Sequence, residues 1–270
     1  YEGAWVNGMR HGQGTWSSVD GDEYEGAWEN DQKHGIGTYK WGSGAKYDGA
    51  WARGKQHGQG TYTFASGDMY EGAWENGMQH GQGARHYKDG GKYEGAWVNN
   101  MRHGQGTWSS VDGDEYEGAW ENDQKHGIGT YKWGSGAKYD GAWVRGKRHG
   151  QGAYYYKDGG KYEGAWENDK RHGQGTWSSV DGDEYEGAWE NDQKHGHGTY
   201  KWGSGAKYDG AWVRGKRHGQ GTNTFATGGT IKGVWVDDAR LVRVTDSGVD
   251  GGKFEGAGDS DTKHGQGTYK

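Results

Sequence analysis

Aromatic and small residues alternate with polar ones from the first position, where Tyr1, Gly3 and Trp5 interleave with Glu2, Ala4 and Val6. A period of two is the pattern of a β-strand whose two faces meet different surroundings. Asn7-Gly8 follows, the dipeptide best suited to a two-residue hairpin turn. Elsewhere the same place holds Asn30-Asp31 or Arg53-Gly54, which also suit a turn. A second strand is expected over His11-Gly12-Gln13-Gly14-Thr15-Trp16, with Gly12, Gly14 and Trp16 on one face. Asp20-Gly21-Asp22 then forms a connecting loop, so the stretch from Tyr1 to Glu23 reads as one β-hairpin and its connection.

This stretch recurs along the whole chain. Tyr1, Tyr24, Tyr47, Tyr70, Tyr93, Tyr116, Tyr139, Tyr162, Tyr185 and Tyr208 lie 23 residues apart, and Ile231 and Phe254 take the next two places. A fixed period of this length marks an array or solenoid. The expected organisation is ten regular repeats over 1–230, a divergent repeat over 231–253 and a truncated one over 254–270. The divergent repeat keeps Trp235 but has Leu241-Val242-Arg243-Val244 where others have His-Gly-x-Gly, which suggests an aliphatic closing segment. The near-identity of Tyr1–Lys46, Tyr93–Lys138 and Tyr162–Lys207 indicates recent tandem duplication or an engineered array.

Composition changes the picture in one respect. Leu, Ile, Val and Phe together supply only 19 of 270 residues, few enough to suggest disorder, but 17 Trp and 19 Tyr accompany a net charge of only −6. The core is therefore expected to be aromatic. Of the 59 glycines, those inside strands need a purpose, because Gly weakens a strand. The reading is that they leave room for Tyr and Trp rings from the neighbouring strand, in a sheet with no second layer. One hairpin cannot cover its own rings, so stability requires stacked neighbours.

The pattern Tyr-x-Gly-x-Trp, five residues, then His-Gly-x-Gly resembles the MORN repeat. Its positions stand here as Tyr1, Gly3, Trp5, His11, Gly12 and Gly14, and again as Tyr93, Gly95, Trp97, His103, Gly104 and Gly106. The Pro-Asp-Gly loop found in many members is replaced by Val19-Asp20-Gly21 or Gly42-Ser43-Gly44. The resemblance implies an all-β, elongated single-sheet solenoid of stacked antiparallel hairpins, gently twisted into a half-pipe. It also implies a membrane role, through anionic phospholipids.

The candidate chemistry is sparse. One His per repeat, from His11 to His218, forms a ladder. Equivalent positions in adjacent hairpins lie roughly 10 Å apart, too far to share a metal ion, whose bonds to His nitrogen are about 2 Å. These histidines are expected to be structural, with at most an adventitious metal at His195 and His197. Gly12-Gln13-Gly14 lacks the third Gly and the helix of a phosphate loop. Asp20-Gly21-Asp22-Glu23 lacks the spacing of a calcium loop. No unique polar cluster breaks the repeat, so no catalysis, metal or cofactor is expected. Arg10, Lys33, Lys55, Arg102, Lys125, Arg148, Arg171, Lys194 and Arg217 are expected to form a basic stripe beside the His ladder, opposite Asp20, Asp22, Glu23, Asp112, Asp114, Asp181 and Asp183 at the loop edge.

These features lead to a structural or protein-interaction scaffold that self-associates through an open N-terminal strand edge or binds another protein. The alternatives are phospholipid binding by the basic stripe and peptide or glycan binding in an aromatic groove. A mildly acidic balance argues against nucleic acid. The absence of Cys and of any long apolar run fits a cytoplasmic protein, or one peripheral at membranes.

Overall fold

The chain alternates short turn-forming dipeptides with period-two aromatic runs, and the computed structural model turns each such unit into an antiparallel hairpin. It describes residues 1–241 and a short strand pair, Phe254–Gly256 with Gly267–Tyr269. Val242-Arg243-Val244, Gly258 and the closing His264-Gly265-Gln266 lie outside the described residues. Among those described there is no helix. The first three repeats contain β1 (Glu2–Val6), β2 (Met9–Ser17), β3 (Glu23–Glu29), β4 (Gln32–Lys40), β5 (Lys46–Ala52) and β6 (Lys55–Thr63). Each pairs antiparallel with the next, both within a hairpin and between hairpins.

The chain divides into two compact units. One is Tyr1–Gly136 with Trp143–Gly146, and the other is Ala137–Ala142 with Lys147–Lys270. Both are built from the same hairpin. Asn7 and Gly8 at φ 54 and 78, and Asn191 and Asp192 at φ 50 and 68, put both central residues of the turn in the left-handed region. This is the type I′ geometry that matches the twist of the flanking strands.

The second strand differs from the regular strand expected. It starts at Met9, and His11-Gly12 form a bulge. Gly3 faces Gly14 while Trp5 faces Arg10, so His11, Gly12 and Gln13 together stand opposite Ala4. Gly12 has φ +66, a left-handed conformation that favours glycine. From the bulge on, the strand also pairs with the next hairpin, with Gly12 opposite Trp28 and Trp16 opposite Tyr24, while Gly14 and Thr15 keep Gly3 and Glu2 on the other side. The His-Gly pair is thus the point at which the second strand begins to pair with the neighbouring hairpin as well as its own.

The aromatic core follows the expected packing. The Tyr24 ring lies across the facing Gly26 and Gly37, and its hydroxyl donates to the Ala27 carbonyl at 2.9 Å. A Cβ on Gly37 would fall on that phenol. Trp51 reaches back one repeat and donates from Nε1 to the Gly37 carbonyl at 2.9 Å. Tyr24 meets Trp28 at 5.0 Å and Trp51 at 5.5 Å between ring centroids, edge to face in both cases. In the second unit Tyr162 meets Trp166 at 5.1 Å and Trp189 at 5.3 Å in the same way. Edge-to-face pairs at such separations contribute beyond their buried area.

Candidate functional site

The sequence-predicted core positions divide by their place in the array. Tyr93 and Trp97 are buried, with Trp97 only 2 % exposed, and Gly95 faces Gly106 beneath the Tyr93 ring. Trp5 is 57 % exposed. The internal indoles donate to a carbonyl of the preceding repeat, as Trp97 does to Gly83 at 3.1 Å, and Trp5 has no such neighbour among the described residues.

The cations expected to form a basic stripe are turned onto the aromatic core. Arg10 stacks on Trp28 at 4.1 Å from the ring centroid, Arg102 on Trp120 at 4.1 Å, Arg148 on Trp166 at 4.3 Å and Arg171 on Trp189 at 4.3 Å. Arg217 lies 5.6 Å from the Tyr208 centroid. The Arg side chains are only 20 to 25 % exposed. Lys33, Lys125 and Lys194 occupy the same row over Trp51, Trp143 and Trp212, at 4.4, 4.5 and 4.6 Å. Lys55 does not belong to it. Gln56, not Lys55, pairs with Trp51, so Lys55 stands one residue out of register and is exposed. A shift of one residue moves a side chain to the other face of a strand.

Each repeat junction joins this row to the next hairpin turn. The Arg10 backbone N–H donates to Asp31 Oδ1 at 2.9 Å, its Nε to the same oxygen at 3.1 Å, and its Nη2 to the Asp31 carbonyl at 3.0 Å. Arg102 with Asp123, Arg148 with Asp169, Arg171 with Asp192 and Arg217 with Asp238 repeat this arrangement. Where the row holds Lys33, Lys125 or Lys194, the matching turn residue is Gly54, Gly146 or Gly215, whose N–H donates to the lysine carbonyl at 2.8 to 2.9 Å. Gln79 takes Asn100, whose Oδ1 accepts from the Gln79 N–H at 2.8 Å. The charge on residue 31 follows: the Arg10 backbone and guanidinium hold the Asp31 carboxyl below its usual range. Burial pulls the Lys33 ammonium down to about 8, opposed by the nearby Asp22 and reinforced by Arg10. Burial likewise brings Lys194 to about 8.

A second clamp forms on the loop side. Asp22 Oδ2 accepts from the Tyr39 hydroxyl at 2.7 Å and its Oδ1 from the Gly42 N–H at 2.9 Å. Asp114 and Asp183 do the same with Tyr131 and Gly134, and with Tyr200 and Gly203. Asp68 instead takes Arg85 Nη2 at 2.8 Å and the Lys88 N–H at 3.0 Å. Asp22, Asp114 and Asp183, expected to gather at the loop edge, are held below their usual range by those bonds, and so is Asp68.

Beyond the clamps runs a shelf of rings. Trp16, Trp41, Tyr62 and Phe64 are half-buried, and Tyr39 between them is buried. Consecutive centroids lie 6.3, 4.5, 5.2 and 4.6 Å apart from Trp16 through Tyr39, Trp41 and Tyr62 to Phe64. The Arg85 guanidinium then bridges Phe64 and Tyr87, at 4.5 and 5.2 Å. In the second unit Tyr200 and Trp202 stand 4.8 Å apart on the same pattern. The sequence alone did not single out Trp41, Phe64 or Tyr87. Their signal was the two-residue offset from positions 39, 62 and 85, which keeps them on the aromatic face.

His34, His80, His126, His172 and His195 face glutamates of their own hairpins. His34 Nδ1 lies 3.2 Å from Glu29 and His126 Nδ1 3.3 Å from Glu121. His195 and His197 are drawn to different partners, Glu190 and Asp209. Among the described residues no three or more His, Cys, Asp or Glu side chains converge to hold a metal ion. Also among them, no helix is long and apolar enough to cross a membrane.

The MORN repeat family matches ten consecutive segments: residues 1–23, 24–46, 47–69, 70–92, 93–115, 116–138, 139–161, 162–184, 185–207 and 208–230. Comparison with curated proteins gave no match. Among solved structures, the wild-type TCP10 domain of Danio rerio CPAP is 7% identical with a TM-score of 0.41, over 82% of this chain and 100% of that one. The SAS-4 (dCPAP) TCP domain of Drosophila melanogaster, in complex with a proline-rich motif of Ana2, is 11% identical with a TM-score of 0.25, over 72% and 86%. A virginiamycin B lyase from Staphylococcus aureus is 11% identical with a TM-score of 0.16, over 98% and 85%. At such TM-scores none of these bears on what this chain binds.

Proposed function

Because the chain belongs to the MORN repeat family over residues 1–230, we propose that it is a non-catalytic scaffold that docks an extended segment of another protein along its aromatic face. MORN repeats point in general to a repeat scaffold for protein or membrane interaction. The observation that favours the protein reading is the half-exposed shelf of Trp16, Trp41, Tyr62 and Phe64, rigidly spaced beside the buried core. Rigid aromatic rings bury large area at little entropic cost, and they anchor protein interfaces.

The membrane alternative needs cations free to meet headgroups. The row holds its arginines over indoles and against aspartates instead. The test is selection of peptides from a displayed random library on the folded chain. Enriched peptides are expected to lose at least about tenfold in affinity to Trp41→Ala and Phe64→Ala. Failure to enrich any peptide, or binding indifferent to both variants, overturns the reading. Flotation of the chain with anionic vesicles at low salt would put phospholipid first. Concentration-dependent sedimentation without added partner would make a second copy of this chain the occupant.

A further inference from the structure

The molecule itself shows which chemical group fits at a repeat junction. At the arginine junctions the backbone N–H of the row residue points at the next turn and is met by an aspartate carboxylate, at 2.9 Å for Arg10 and 3.0 Å for Arg102. Lys33 stands at the same register, opposite Trp28 in its own hairpin, and so directs its N–H the same way. Its turn residue is Gly54, which brings no carboxylate. A Cβ placed on Gly54 would meet no atom within 4 Å, and the same holds at Gly215 beside Lys194. At these two places the turn residue brings no counterpart of the carboxylate that Asp31 or Asp123 supplies elsewhere. The lysines that carry these N–H groups hold their ammoniums over aromatic rings, at 4.0 Å from Tyr39 for Lys33 and 4.1 Å from Tyr200 for Lys194.

We propose that the Lys33–Gly54 and Lys194–Gly215 junctions are binding sites for the carboxylate of an Asp or Glu side chain on a docked protein segment. The inference rests on the protein-docking reading and adds to it: the aromatic shelf takes the apolar side of the segment, and these junctions take its acidic residues. The recognition is that of the internal aspartates, a backbone N–H donating to one carboxylate, and hydrogen bonds to an ionised acceptor are the strong class. Both glycines lie at φ +78 and +82, close to the +66 of Asp31 and Asp123, so aspartate at either place adopts a conformation the fold already uses.

The test uses the full chain labelled with 15N-lysine and, separately, with 15N-arginine. The probe is a blocked Gly-Asp-Gly peptide, with Gly-Asn-Gly and inorganic phosphate as comparisons. The expected result is a saturable shift of the Lys33 and Lys194 amides, at least about tenfold more sensitive to the Asp peptide than to the Asn peptide. The Arg10 and Arg102 amides, already met by aspartate, stay in place. Gly54→Asp removes the Lys33 response and Gly215→Asp the Lys194 response, because each fills its site from within. Equal response to the Asn peptide, a stronger response to phosphate, or a Lys33 shift that survives Gly54→Asp overturns the proposal. A silent Lys33 amide in a chain whose selected peptides still depend on Trp41 overturns the carboxylate site and leaves the docking reading standing.

Discussion

At the scale of single residues, glycine does here what apolar side chains do in an ordinary core. Gly95 and Gly106 face each other so that the Tyr93 ring can lie across both, and a Cβ on Gly106 would fall on the phenol. Gly106→Ala is therefore expected to destabilise by about 3 kcal/mol, at the upper end for overpacked sites. Trp120→Ala removes an indole packed against Tyr93 at 5.4 Å, Tyr116 at 5.1 Å and the Arg102 guanidinium at 4.1 Å. Its expected cost is about 3–5 kcal/mol. Chemical denaturation of both variants checks these values, and an unchanged midpoint for Trp120→Ala would refute the aromatic core. The Tyr-Gly-Trp part of this was legible in the sequence, because spacing alone puts those residues on one strand face.

At the scale of the element, the hairpin is defined as much by its neighbour as by itself. The type I′ turn and the period-two strand are local, and both were readable from Asn7-Gly8 and Tyr1-x-Gly3-x-Trp5. The bulge at His11-Gly12 was not, because a left-handed glycine between alternating residues leaves the sequence pattern unchanged. The junction pairs were hidden for another reason: Arg102 and Asp123 stand 21 residues apart in different hairpins. Their coupling is expected at about 1 kcal/mol in a double-mutant cycle with alanine, since both are partly solvent-exposed. A coupling near zero would show that the Arg102 stacking on Trp120 acts alone. Lys33→Arg with Gly54→Asp should reproduce the same coupling at a junction that lacks it.

At the scale of the whole molecule, the repetition of buried tyrosines is expected to make stability fall at alkaline pH. Burial raises the phenols of Tyr24, Tyr47, Tyr70, Tyr93, Tyr116, Tyr139, Tyr162 and Tyr185 well above the usual value, and Tyr39 to about 12. The folded chain then keeps protons that the unfolded chain releases above about 10, so stability falls as pH rises through that point. Lys33 and Lys194 act in the opposite sense. With folded values of about 8 against the usual 10.5, they bind fewer protons when folded and raise stability between those limits. The expected profile rises gently above pH 8 and drops sharply above about 10. Denaturant titrations across this range, with tyrosinate absorbance followed in parallel, check it. Tyrosines that ionise reversibly near pH 10 with the fold intact would contradict it.

The sequence by itself determined the repeat, the hairpin, the turn type and the aromatic face, because each is set by residues a few positions apart within one period. The tertiary structure decided what the charged residues do. Arg10 and Lys33 look alike as members of a basic stripe, and only the packing of one hairpin on the next shows that they are folded onto Trp28 and Trp51. It also decided that Lys55 stands out of the row, that Asp22 is tied to Tyr39 and Gly42, and that the junction beside Gly54 is open. The physical reason is that a charge's role depends on which partner lies within a few ångströms, and here that partner comes from another repeat, about twenty residues away along the chain.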